Sequence, residues 1–534
     1  MNIDLKIWKG ALLVSAFFLT SAFVWGQNSF LELLPGADKL EYDRKTGRHR
    51  LIGNVNFVYQ NNTMYCDSAY FFEKSNVIRA YGKVHVQKRD TLNLFCDSLH
   101  YNGNTKQAKL WGNVRVRDNE YKLTTDSLDY DAKKSQAVYR NGGRIQSITS
   151  GETLTSRVGY FHPDSKNFFF SHDVVYKSKE LEMTTDTLQY RYYEKKTYFY
   201  GPTDIKSDSV TLFCNSGWYN TETQEGALYE DAWLDNGENY VSGDTLLYMP
   251  EQGISIGKGN VFMSDTTQKV EFSGDYAYLS DTMNYALVTG RALVTKYMDS
   301  DTLYVHADTL YTYTKDSAEL VKAYHGARMF SNNVQCRADS IAFDTQKDKM
   351  ELYYEPIVWS NGSELKGDFM EIFLEDSVIQ HVDIYENASV LMEVAVDSFY
   401  NQIAGKKIIA KFKDNELYRT YVNGNAMTVF FPEESDSTDS NIVKNRIGMN
   451  RLYSSTLRID VDSNEITGVT YIEAPDGAFY PMDQLNKEEQ FIPGFNWLYH
   501  LRPSNVEALF EEALAEVKEP EDEPVEENDT SLEE

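Results

Sequence analysis

Apolar and polar residues alternate along most of the chain, and a recurring acidic residue sets the phase of the alternation. After Asp38, Asp97, Asp126 and Asp244 the apolar residues fall at the second and fourth positions (Leu40 and Tyr42, Leu99 and Tyr101, Leu128 and Tyr130, Leu246 and Tyr248). A period of two is that of a strand with one buried face. Before the acidic residue they fall at the third position (Met64, Leu94, Leu123, Met183, Val241, Phe272), so the parity slips by one residue across it. In a flat strand that slip would exchange the two faces, so one buried face is kept only if the strand bulges or turns a corner at the Asp. The Ser or Thr after several of these Asp residues suits such a corner, because short polar side chains bond the backbone groups that a broken ladder leaves unpaired. A second motif, Gly53-Asn54-Val55, Gly82-Lys83-Val84, Gly112-Asn113-Val114 and Gly259-Asn260-Val261, keeps the parity and predicts a second, glycine-permitted kink. Polar turns such as 43–47 and Asn102-Gly103-Asn104 join the strands as hairpins.

The ruler repeats. Asp38, Asp67, Asp97, Asp126, Asp186, Asn215, Asp244, Asp275, Asp308, Asp339 and Asp368 return with a period of about 30 residues, which signals a repeat architecture. Each repeat reads as two long, bent, antiparallel strands, and stacked repeats make an elongated, all-β trough with an apolar interior. Its inner face on one side of the corners reads Val55, Phe57, Val84, Val86, Val114, Val116, Ile145, Val174, Ile205, Leu234, Val261 and Met263. Leu40, Leu99, Leu128, Leu188, Leu246, Leu310 and Ile341 continue it on the other. Repeats fill 27–180 and 181–390, blur over 391–503, and give way at 504–534 to a short helix and an acidic tail. The helix is read from Ser504 and Glu507 as a capping box and an apolar stripe from Val506 to Val517. The stretch from Glu433 to Asn441 lacks apolar periodicity and reads as a loop. The aromatic run from Phe491 to Tyr499 is expected to close the end of the trough.

Charge narrows the partners. With a net charge of −29 over 534 residues the chain is poorly suited to nucleic acid, whose binding needs Lys and Arg to displace counterions. Lys6 and Lys9 precede an apolar run from Ala11 to Trp25, the form of a secretory signal peptide over residues 1–26. That places the mature chain outside the cytoplasm. Exported cysteines usually pair, yet Cys66, Cys96 and Cys214 share one repeat position. Two strand spacings, about 9.5 Å, exceed the reach of a disulfide, about 7 Å between Cα atoms. Free, buried thiols are expected for these and for Cys336. An Asp present in nearly every repeat is a corner rather than a glycosidase carboxylate. The nine His are scattered without metal-ligand spacing, and no nucleophile elbow or phosphate loop stands in a supporting context. The pattern therefore points to a non-enzymatic protein without a metal or cofactor.

The repeated Ala/Cys-Asp-Ser-Leu-x-Tyr, polar turn, Ala-x-x-Gly-Asn-Val-x-Val behind a signal peptide resembles the OstA repeat of the lipopolysaccharide transport family, found in LptA, LptC and the N-terminal domain of LptD. The likeness covers about Leu34 to Ala388 well and Asn423 to Glu473 weakly. It is greatest to the long, barrel-less OstA-like proteins of Bacteroidetes-type bacteria. The resemblance implies a V-shaped antiparallel β-jellyroll whose groove holds lipid A acyl chains in the periplasm, toward the outer membrane. It also implies LptC-like and LptD-like partners and end-to-end association through edge strands. The candidate groove residues are then Val55, Phe57, Val84, Val86, Leu99, Val114, Val116, Leu128, Val261 and Met263. Two other readings compete: a structural β-scaffold or filament with a dry core, told apart by how tightly the two walls pack, and a carbohydrate-active enzyme.

Overall fold

The computed structural model describes residues 32–511 except 60–61, 89–91, 163, 299–300, 316–317, 376–377, 396–398, 414–415, 439–440 and 463–464. The signal-peptide segment and the acidic tail lie outside the described residues. The chain divides into two compact units, Met1–Asp299 with Asp308–Lys322, and Ser300–Ala307 with Ala323–Glu534. Both are antiparallel β-structure.

In the N-terminal unit long strands follow one another as hairpins: Arg48–Tyr59, Asn62–Phe72, Val77–Lys88, Leu92–Asn102, Gln107–Arg117 and Tyr121–Asp131. Each pairs with the next. Their register jumps at the predicted corners, between Tyr65 and Ser68, Phe95 and Ser98, and Thr185 and Thr187. The Asp and the Gly do not mark two separate corners, as their spacing along the chain suggests. They face each other across neighbouring strands at one corner. A methyl group built on Gly82 would lie 2.5 Å from Asp67 Oδ2, and Asn113 Nδ2 donates to Asp97 Oδ2 at 2.8 Å. Two residues in left-handed conformation, such as Gly112 (φ +76°) and Asn113 (φ +46°), are accommodated opposite one Asp, so each strand bulges and bends there.

The hairpin turns follow their sequence. Asp43 accepts from the Lys45 N–H at 2.9 Å and from the Thr46 hydroxyl at 2.7 Å, and Asn102 and Asp131 repeat the arrangement. Leu40 is 54% exposed, not inward. Its strand, Lys39–Asp43, pairs along one edge only among the described residues, with Arg48 to Ile52, so no second neighbour covers it.

In the C-terminal unit the bulges persist at Glu386-Asn387 and Gly424-Asn425 although their spacing widens, and Asn387 again donates to Asp368, at 3.0 Å. Glu433–Thr438 is a strand, not a loop, paired with Asn441–Arg446 in a two-stranded sheet of its own. A backbone ladder needs no apolar face, which is why periodicity misses it. The segment after Pro481 has only short 3₁₀ turns. Its Ile492 packs with Leu391, Val429, Phe431 and Met449, and Phe495 and Trp497 lie against Tyr400 at 5.1 and 5.2 Å between ring centroids. The predicted terminal helix is, as far as Glu511, a single turn at Glu507–Leu509. Leu509 is buried and its carbonyl accepts from Arg328 at 2.8 Å, so tertiary contacts take an acceptor that a helix would use. The remainder of that helix lies outside the described residues.

Candidate functional site: the apolar interior of the N-terminal unit

Cross-strand partners share a face, and following them from strand to strand draws the interior as two rows. One wall carries Phe57, Met64, Val86, Leu94, Val116, Leu123, Ile145, Leu154, Tyr176, Met183, Ile205, Leu212, Leu234, Val241, Met263, Phe272 and Val294, each paired with the next. The row contains no charge. Across the corner the facing wall begins Leu51, Ala69, Ala80, Leu99, Leu110, Leu128. From Tyr139 it continues through Gly159, Phe170, Leu188, Phe199, Gly217, Leu228, Leu246, Gly257 and Ala277 to Val288.

The two walls do not touch along the whole row. From Leu51 to Leu234 the two walls form one buried core. Large rings fill its later part: Tyr139 against Phe161 at 5.9 Å, Phe161 against Phe170 at 5.7 Å, Phe168 against Tyr190 at 6.3 Å. The Tyr139 ring occupies the space that side chains at Gly143 and Gly159 would need, and its hydroxyl pairs with Ser156 Oγ at 2.6 Å. Past Phe199 the row falls to Leu246, Gly257 and Ala277, and the facing Val241, Phe272 and Val294 become half-exposed. A cleft opens there between the walls, lined by Phe199, Leu212, Tyr219, Leu228, Leu234, Val241, Leu246, Val261, Met263, Ala277 and Leu279, with Trp218 and Asp281 at its margins. Its empty space is ≈ 990 Å³ when the part open to solvent is included, of which ≈ 100 Å³ admits a water-sized sphere. No lysine or arginine lines it. A second concavity, beside the corner at Asn215, Asp231 and Asp244, is polar, acidic and open to solvent.

Against known proteins, residues 32–186 match the family model described as OstA-like protein. The chain carries an OstA-like domain. Among solved structures it is similar to LptH, the LptA-homologous periplasmic component of the lipopolysaccharide transport device of Pseudomonas aeruginosa. The two are 16% identical, over 20% of this chain and 76% of that one, with a TM-score of 0.18. No curated protein matches.

The candidate groove residues divide between the two parts of the interior. Val55, Phe57, Val84, Leu99, Val114, Val116 and Leu128 are buried where the walls of the OstA-like domain pack together, and Val86 is half-buried against them. Val261 and Met263 line the cleft, beyond the residues that match the family model. Sequence reasoning names Leu246 and Val241 as inward but does not single out the cleft. Side-chain size along one row is no such signal, because Ala69 and Ala80 are paired in the same row where the walls are sealed. The four cysteines are free and buried. Burial raises the thiol of Cys66 to about 11 and those of Cys96, Cys214 and Cys336 to about 12, with Asp67 and Asp97 adding to the rise for the first two. Val84 separates Cys66 from Cys96 across the strand between them.

Proposed function

We propose that this protein is a non-enzymatic carrier of lipopolysaccharide that takes the glycolipid's acyl chains into its apolar interior, in the periplasm and on the way to the outer membrane. One observation carries the reading: beyond the OstA-like residues 32–186, the antiparallel interior opens, between residues 199 and 281, into a cleft lined almost entirely by apolar side chains. Each acyl CH₂ buried there is worth about 0.8 kcal/mol, so six contacts supply roughly 5 kcal/mol before ordering costs. Phosphates gain less, because no lysine or arginine lines the cleft, Lys196 lies over the Trp218 ring at its margin, and the chain carries −29. The enclosed space equals only a few water molecules, so a bound chain lies partly in the open mouth. LptC-like and LptD-like components, and further copies joined through edge strands such as Lys39–Asp43, are the partners this reading supplies.

The sealed stretch from Leu51 to Tyr190 favours a second reading for that stretch alone, a packed spacer without cargo. The test is displacement of a fluorescent fatty acid from the purified full chain by lipopolysaccharide. Leu246→Asp, at a half-exposed position, is expected to lower lipopolysaccharide affinity at least tenfold. Undiminished displacement by a folded Leu246→Asp protein contradicts the carrier reading.

A further inference from the structure

Phe199 stands where the sealed interior becomes the open one. Its partners in the row are Leu188 on one side and Gly217 on the other. It is 1% exposed, yet it forms one end of the cleft. Behind it stand Phe168, Phe170 and Tyr190, all buried. In front of it the row shrinks to Gly257 and Ala277, which pair with each other. A packed protein interior yields poorly to an inserted methylene, so an acyl chain entering the cleft meets a wall of rings rather than a passage.

We propose that Phe199 is a stop that sets how deeply an acyl chain enters the cleft, so that the protein holds lipids of limited chain length at this place and does not pass them along the repeats that precede it. The proposal rests on the acyl-chain reading above and adds a ruler to it. Phe199 touches the chain's terminal methyl group, while the space lined by Leu228, Leu246 and Ala277 holds the rest of the chain. A stop of this kind selects by length, as a pocket floor does.

The experiment measures affinities of the full chain for saturated fatty acids from octanoate to stearate, by competition with a fluorescent fatty acid. The wild type is expected to show an optimum length. Phe199→Ala is expected to move that optimum upward by about three carbons, the space that truncation of a phenyl ring leaves. Ala277→Leu, which fills the chamber, is expected to move it downward. Leu99→Ala, in the sealed core, lowers thermal stability without moving the optimum. A purely structural role for Phe199 would weaken all lengths alike, and an unchanged optimum in both chamber variants, with melting curves showing folded protein, overturns the stop. If the wild type binds no fatty acid of any length, the acyl-chain reading falls together with the stop. If it binds and the optimum does not move, the stop alone falls.

Discussion

At corners such as those of Gly82, Gly112 and Gly259 the strand carries two left-handed residues in succession, and a carboxylate on the neighbouring strand stands against them. Gly112→Val would place a branched side chain at φ +76° and against Asp97. We expect it to destabilise the N-terminal unit by about 1–3 kcal/mol, read as a lower denaturant midpoint, with Asn113→Ala milder because its bond is exposed. The Asp was legible as a corner because it shifts the apolar parity of its own strand. Its pairing with the Gly was not, because the two residues meet across a strand boundary and no single-strand pattern records it. The cysteines make a second prediction. With folded pKa values raised to about 11 or 12 above the ordinary thiol value of about 8.5, the buried thiols favour the fold below the unfolded value. Their contribution is lost as pH rises from about 9 through 12. Four thiols should titrate with a disulfide reagent in denatured, non-reduced protein and almost none in the native state at neutral pH. Four rapidly reacting native thiols, or none after denaturation, would refute the assignment.

Among the elements, the segment that follows Pro481 has the least regular structure and the most specific polar anchoring. Glu364, fully buried, accepts from Trp359 Nε1 at 3.0 Å and from the Leu498 N–H at 3.0 and 3.1 Å, and it pairs with Lys366 at 3.1 Å. Gln402, 1% exposed, donates to the Gln490 carbonyl and accepts from the Ile492 N–H, at 2.7 and 2.9 Å. Both side chains stand in for the strand neighbour that this segment lacks. Glu364→Ala should cost about 3 kcal/mol, since it leaves an indole N–H and a backbone N–H without their acceptor and removes the carboxylate paired with Lys366. Limited proteolysis should then cut within residues 482–511 in the variant before it cuts elsewhere, and an unaltered cleavage pattern would show that the anchor is dispensable. The aromatic run of this segment was readable as something that packs, but its partners were not, because Glu364 and Gln402 sit far away in sequence with no periodic signal. The same holds for the hairpin of Glu433–Thr438 and Asn441–Arg446, whose backbone ladder needs no periodic signal.

Across the molecule, the repeat made the architecture legible before the site. Alternation and parity specify all-β structure, long bent strands and an apolar interior, and the antiparallel ladders have that form. They do not specify whether facing walls touch, because contact depends on the summed size of side chains from two walls. Val84 and Val261 look alike in sequence and both are buried, yet one lies in a continuous core and the other borders a cleft. Ala69 and Ala80, paired beside Val84 in the packed stretch, are as small as Ala277 beside the cleft, so no single residue records the difference. The central claim is that lipid enters the interior at the cleft and is excluded from the packed repeats before it. A photoreactive phenylalanine analogue placed at Leu246, and separately at Leu99, in the full chain exposed to lipopolysaccharide tests this directly. The account predicts a lipopolysaccharide adduct from position 246, persisting at high salt because the contact is apolar, and none from position 99. Equal adducts from both positions, or none from position 246 in a protein with the wild-type melting curve, would contradict it.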